Sequence, residues 1–273
     1  MTDWFSGDVV ANGLRIHYHR TGGEHPPLVL SHGATDSGLC WTRLALALQG
    51  DYDVIMPDAR GHGQSEEPRD GYASEARAAD LAAFIQQLGL DRPAVGGHSM
   101  GAQTTFTLLA NFPGVARCAI LEDGVFRPRD VPRSEADRMA FAARARALID
   151  ERAAVGRDGL IARCRAEHPE WDEVEFGPWA DAKLALRPSF AAVRGPERRD
   201  WWEVLPAVTE PMLLITADPE RGGIVTPETA AEMAGIQPLA RVVRIRNAGH
   251  NVRREQFDAY LAAVRAFLAD AVG

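Results

Sequence analysis

AVGGHSMGAQTTFTLLA, residues 94–110, runs from a short apolar stretch (Ala94 to Gly97) through Gly97-His98-Ser99-Met100-Gly101 into a segment of helical spacing, Ala102 to Ala110. A G-x-S-x-G pattern alone is weak, because glycine is common. Its context makes it informative. Between a buried strand and a helix, the sharp turn lifts the serine hydroxyl above the sheet edge, and the glycines let neighbouring backbone approach closely. Ser99 is therefore the candidate nucleophile. A serine hydroxyl is weakly nucleophilic at neutral pH and needs a base within hydrogen-bond reach. His250, in Ala248-Gly249-His250, is the candidate base, because imidazole takes and returns a proton near neutrality.

Outward from this turn, short apolar runs alternate with helical segments. The runs are Pro27 to Ser31, Asp53 to Met56, Val115 to Leu121, Met212 to Thr216 and Ala240 to Ile245. Runs of this kind suit strands buried on both faces of a parallel sheet. The helical segments are Trp41 to Leu48, Ser74 to Leu88, Thr226 to Ala234 and Arg253 to Ala269. Ahead of them, strands around Val9 and from Leu14 to His19 flank the turn Asn12-Gly13. The alternation predicts a doubly wound α/β fold with a mostly parallel sheet. The rhythm breaks from about Phe126 to Leu205, where charged helical pieces such as Ser134 to Ala154 replace strands. The expected organisation is a core of residues 1–125 and 206–273, with residues 126–205 as a helical cap over the C-terminal edge of the sheet.

The 273 residues carry a net charge of −8, which speaks against nucleic acid or an anionic membrane as partner. Lys183 is the only lysine, so a Walker A loop is excluded. Cys40, Cys118 and Cys164 are far apart and form no CxxC. His17 and His19 share a strand face, but no carboxylate or cysteine spacing completes a metal site. No metal or cofactor is expected. The opening MTDWFSGDVV is not a basic stretch followed by an apolar one, and no run of about 18 apolar residues occurs. A soluble, cytoplasmic protein is the expectation.

Taken together, the motifs resemble the α/β-hydrolase superfamily along the whole chain. Ser31-His32-Gly33-Ala34 is similar to its oxyanion loop, and Asp58-Ala59-Arg60-Gly61-His62-Gly63-Gln64-Ser65 resembles its D-x-R-G-x-G-x-S turn. Ala248-Gly249-His250 is similar to the catalytic histidine loop. The resemblance implies an oxyanion hole from the N–H groups of Ala34 and Met100. It implies that His32 and His62 shape their turns.

The resemblance leaves the triad acid open. Most of the superfamily carries it after the next-to-last strand, in a pattern like G-x-x-D-x-[IV]-[VT]-P. Here that stretch is Ala217-Asp218-Pro219-Glu220-Arg221-Gly222-Gly223-Ile224-Val225-Thr226-Pro227; counting back from Ile224-Val225 the usual position falls on Gly222 and counting forward from Ala217 on Glu220, so neither register puts Asp218 there. Some members place the acid instead at the end of the strand after the nucleophile helix. Asp123 stands there, 24 residues after Ser99 and before Gly124. Asp123 is favoured, with Asp218 as the alternative and Glu122 or Glu220 behind them.

The implied activity is hydrolysis of a carboxylic ester or lactone through an acyl-serine. Epoxide hydrolases and haloalkane dehalogenases carry aspartate where Ser99 stands, which removes both. Hydrolytic C–C cleavage and cofactor-free perhydrolysis share the triad and stay open, as does a non-enzymatic ligand receptor on the same fold. The expected partner is a small apolar ester or lactone. Four of the six tryptophans lie in the cap. Trp171 and Trp179, with His98 beside the nucleophile, are the candidate pocket residues, although tryptophan in a helical cap can equally be packing.

Overall fold

The computed structural model describes residues 4–69, 71–131, 134–191 and 200–272. Eight strands form one sheet in the order β1-β2-β4-β3-β5-β6-β7-β8. These are β1 (Phe5–Ala11), β2 (Leu14–Arg20), β3 (Pro27–Ser31), β4 (Asp53–Pro57), β5 (Ala94–His98), β6 (Cys118–Glu122), β7 (Met212–Thr216) and β8 (Ala240–Arg244). β1 and β2 form a hairpin whose turn residues Asn12 and Gly13 both have positive φ, the conformation a two-residue turn demands. β2 joins β4 antiparallel, and β3 to β8 run parallel.

The helices are α1 (Thr42–Leu48), α2 (Ser74–Gln87), α3 (Met100–Asn111), α4 (Glu135–Glu167), α5 (Glu173–Ala185), α6 (Trp201–Val204), α7 (Pro227–Ile236), α8 (Val252–Glu255) and α9 (Phe257–Val272). Alternate residues of the central strands feed two apolar layers. Val29, Val95, Leu121 and Leu214 pack with α2, α3 and α7 on one face. Leu28, Leu30, Leu213 and Ile215 pack with α1 and α9 on the other. This double burial is why β3 to β7 read as unbroken apolar runs.

Three expectations need correction. β8 is an edge strand, with Arg241, Val242 and Arg244 exposed rather than buried on both faces; charge on an edge strand discourages pairing with another chain. The strand expected from Val115 begins only at Cys118, since the preceding residues still belong to the turn around Pro113-Gly114. The single helix expected from Arg253 to Ala269 is two helices, broken at Gln256 (φ −133°, ψ 59°).

Between β6 and β7 the described residues contain only helices and short turns. Ser134 and Asp137 close a capping box at the start of α4, and Gly156 (φ 68°) interrupts it. α4 folds back on α5, which in turn packs on α1. The two ends of this insertion are not part of it energetically: Phe126, Trp201, Val204 and Leu205 are buried in the α2/α3 layer. Among the described residues, no helix is long and apolar enough to cross a membrane.

Candidate active site

Ser99 occupies the turn between β5 and α3 with φ 53° and ψ −112°, an unfavourable conformation for a residue with a Cβ. Such strain costs on the order of 1–3 kcal/mol and persists only where the surroundings enforce it. Here they do. A Cβ on Gly101 would lie 2.0 Å from the Ser31 carbonyl oxygen, and one on Gly97 would lie 2.3 Å from the Gly101 backbone. The two glycines are thus required by the close passage of β3 and α3 beneath the serine.

A cavity of about 650 Å³ opens at this end of the sheet, within the range of small-molecule sites. Its wall includes Ser99, His250, Ala34, Met100, His98 and Trp179. Met100 opens α3, so its N–H has no partner within the helix. Ala34 follows the His32-Gly33 turn, which two histidines brace. His32 Nδ1 donates to the Gly33 carbonyl (2.8 Å) while its Nε2 accepts from the Ala59 N–H (2.9 Å). Burial holds His32 below the ordinary imidazole range, in keeping with that neutral tautomer. His62 Nε2 lies 3.0 Å from the Ala34 carbonyl oxygen and its Nδ1 2.9 Å from that of Arg60. Both histidines shape their loops, as expected.

His250 Nδ1 is 2.7 Å from Asp123 Oδ2. Asp123 is fully buried, with φ 38°. Its carboxylate also accepts from the N–H groups of Ile224 (2.9 Å) and Val225 (3.0 Å). The Ile224-Val225-Thr226-Pro227 stretch, beside which the superfamily more commonly carries its acid, here holds Asp123, at the end of another strand, through its backbone. Asp218 is engaged elsewhere. Arg244 Nε donates to one of its oxygens (2.9 Å) and the Asn247 N–H to the other (2.7 Å). The Asn247 N–H, then Arg244, lower its carboxyl below the usual range. Glu122 is buried against Arg253 (3.2 Å), and Glu220 lies on the surface beside Arg244.

His98 Nε2 donates to the His250 carbonyl oxygen (2.8 Å) and its ring lies 4.6 Å from that of His250. Burial, then the neighbouring His250 and Arg253, hold His98 well below the usual imidazole range, so it stays neutral. Trp179 lines the cavity, but Trp171 does not. Trp171 lies in the turn joining α4 to α5, stacked on His168 (4.3 Å) and packed with Cys164 and Phe176. Its large apolar ring closes the helical hairpin, so the packing reading holds for it. Truncating Trp179 to Ala is expected to raise KM for bulky aryl esters several-fold more than for acetate esters, checked by a paired kinetic series; equal losses for both would mark it as packing.

Sequence reasoning missed a buried ionic cluster behind the His32-Gly33-Ala34 turn. Lys183 Nζ donates to Asp36 Oδ1 (2.9 Å) and to the Thr35 carbonyl (2.7 Å). Arg254 bonds Asp36 (3.2 Å) and Glu175 (3.0 Å). Burial would raise the Asp36 carboxyl, but Arg254, Lys183 and Arg253 together hold it well below the ordinary range. Lys183→Met should cost about 3 kcal/mol of stability at neutral pH, since a buried charge loses a partner. A depressed carboxyl stabilises above its unfolded value and loses that contribution as pH falls through the folded one. The gap between wild type and variant in urea melts should therefore shrink below about pH 4.

A sequence profile described as "Alpha/beta hydrolase family" matches residues 28–263. The chain belongs to the alpha/beta hydrolase family. It is 34% identical over 280 residues to an N-formylmaleamate deformylase from Pseudomonas putida, covering 96% of both chains. It is 28% identical over 267 residues to a 2-(acetamidomethylene)succinate hydrolase from Mesorhizobium japonicum, covering 91% of this chain and 90% of that one. The solved structure of a thermophilic esterase from Thermogutta terrifontis, with malate bound, superposes with a TM-score of 0.73 at 26% identity, covering 98% of this hydrolase and 99% of that chain.

Proposed function

We propose that this hydrolase transfers an acyl group from a small carboxylic ester or lactone to water through an acyl-Ser99 intermediate. The observation that carries this reading is the strained Ser99 facing one cavity with His250, whose Nδ1 is bonded to the buried Asp123. With Nδ1–H donated to Asp123, Nε2 is left as the basic nitrogen. It takes the Ser99 proton as Oγ attacks the carbonyl carbon, and the resulting imidazolium is stabilised by the carboxylate. The developing oxyanion takes the N–H groups of Ala34 and Met100. Nε2 then returns the proton to the leaving group, and a water molecule repeats the sequence to release the acid.

A second reading is an N-acyl amide substrate. It is favoured by the names of two relatives that align with nine-tenths or more of this chain, an N-formyl deformylase and an acetamido hydrolase, whereas a third such relative, from Escherichia coli, is an esterase. The machinery is common to both, since His250 can protonate a leaving nitrogen as well as a leaving oxygen. A fluorophosphonate probe should label Ser99 and no other residue by peptide mass mapping. Labelling that persists in Ser99→Ala overturns the nucleophile. A screen of matched 4-nitrophenyl esters, lactones and N-formyl and N-acetyl amides then separates the two readings by kcat/KM.

A further inference from the structure

The sequence led us to expect an apolar substrate, but the wall around Ser99 is cationic, in a chain of net charge −8. Arg127, Arg144, Lys183 and Arg254 line it, against the carboxylates Asp36 and Asp137. Three of these cations are engaged. Lys183 and Arg254 share Asp36, Arg254 also holds Glu175, and Arg127 pairs with Asp137 at 3.1 Å. Asp137 is further occupied by the Ser134 N–H at the start of α4. Arg144 differs. It is exposed to the cavity and has no ion pair or hydrogen bond among the described residues. No carboxylate stands one turn before or after it on α4, where Ala140, Phe141, Ala147 and Leu148 occupy those positions.

Its placement is set by the helix. Asp137, Ala140, Phe141 and Arg144 recur at the spacing of one α4 face, and all four line the cavity. Phe141 fixes that face by packing with Tyr72, Met100 and Phe190. The guanidinium is therefore carried by an anchored helix into the compartment that holds Ser99.

We infer that Arg144 is a substrate-anchoring residue that binds a free carboxylate, so that the molecule cleaved at Ser99 is a small acid carrying the scissile acyl bond. This rests on the hydrolytic reading above. A guanidinium presents a planar pair of N–H donors that matches a carboxylate in two parallel hydrogen bonds. In a cavity partly shielded from water that pairing is stronger than on an open surface.

The test uses the Ser99→Ala chain, which holds a ligand without turnover. Calorimetric titration should show succinate binding at least about tenfold more tightly than the neutral isostere succinamide. Adding Arg144→Gln should erase that preference, and Arg144→Lys should retain part of it. In the active enzyme, Arg144→Gln should lower kcat/KM for mono-4-nitrophenyl succinate relative to 4-nitrophenyl butyrate by ~10- to 100-fold, mostly through KM, the scale of a charge-assisted hydrogen bond. Equal binding of succinate and succinamide, or an unchanged ratio in Arg144→Gln, overturns the anchor. Fluorophosphonate labelling of Ser99 in the same variant reads the hydrolytic assignment separately, because that assignment fails only if Ser99 does not react.

Discussion

Ser99→Ala and His250→Ala are each expected to lower kcat by several powers of ten, while the double variant is little worse than either. A nucleophile and its base act as one device, so removing either part removes the acyl-enzyme route, and what remains is binding and the oxyanion donors. The N–H groups of Ala34 and Met100, proposed above to take the oxyanion, stay in place in both variants, so a residual rate above the uncatalysed one should survive. Steady-state kinetics on a 4-nitrophenyl ester check this. Losses that multiply in the double variant would show two groups working separately, contrary to the shared cavity. Thermal melts accompany the kinetics, because Ser99→Ala keeps the positive φ of the turn and should unfold close to wild type.

The second large effect concerns the acid. Asp123→Asn should reduce kcat by at least a few hundred-fold, toward the ~10⁴-fold loss known for serine triads, while Asp218→Asn keeps most activity. The surroundings explain why the near-isosteric change is so damaging. Both carboxylate oxygens of Asp123 face N–H donors, from Ile224 and Val225 on one side and from Ile224 and His250 on the other. An amide has one oxygen and one NH₂. If the NH₂ faces Nδ1, the imidazole must accept there and carry its proton on Nε2, the wrong tautomer to receive one from Ser99. If it faces the Ile224 and Val225 N–H groups, donor meets donor in a fully buried site. Asp218→Asn has an easier fate, since one amide oxygen can still accept from the Asn247 N–H and its other partner, Arg244, is half-exposed. An inactive, folded Asp218→Asn beside an active Asp123→Asn would return the acid to the commoner position.

What was legible in the sequence was what local rules determine. The Ser99 turn is specified by the glycines at 97 and 101 and by an apolar run meeting a helix, all within eight residues. Asp123 could be favoured because Gly222 carries no side chain where the acid usually stands and because a strand end falls 24 residues after Ser99. The helical piece expected from Ser134 to Ala154 does begin at the Ser134 cap and meets a break at Gly156, although α4 then continues to Glu167. What depended on contacts across the chain was not legible. Trp171 and Trp179 sit in similar sequence surroundings, yet one fills a hairpin and the other faces the cavity, a difference set by how α5 lies on α1. The break at Gln256 separates α8, which aims Arg253 and Arg254 at Glu122, Asp36 and Glu175, from α9, and those partners lie 79 to 218 residues away in the chain. Arg144 could be placed only once the buried face of α4 was known.

Asp123 and Gly124 stand at the root of the insertion, and Phe126 beyond them is already buried in the sheet's own apolar layer, as Trp201, Val204 and Leu205 are at the far end. For anyone recombining members of this family, that fixes the seams. A donor insertion spliced between residues 127 and 200 would arrive on a scaffold in which Ser99, His250 and Asp123, the proposed nucleophile, base and acid, remain in place. Such a chimera would change which molecule is admitted and keep those three residues of the recipient, provided the donor segment again supplies partners for the buried Asp36 and Arg254 where Lys183 and Glu175 stand. A seam cut at 122 instead would replace Asp123, the proposed acid, along with the insertion, and selectivity and turnover could no longer be varied one at a time.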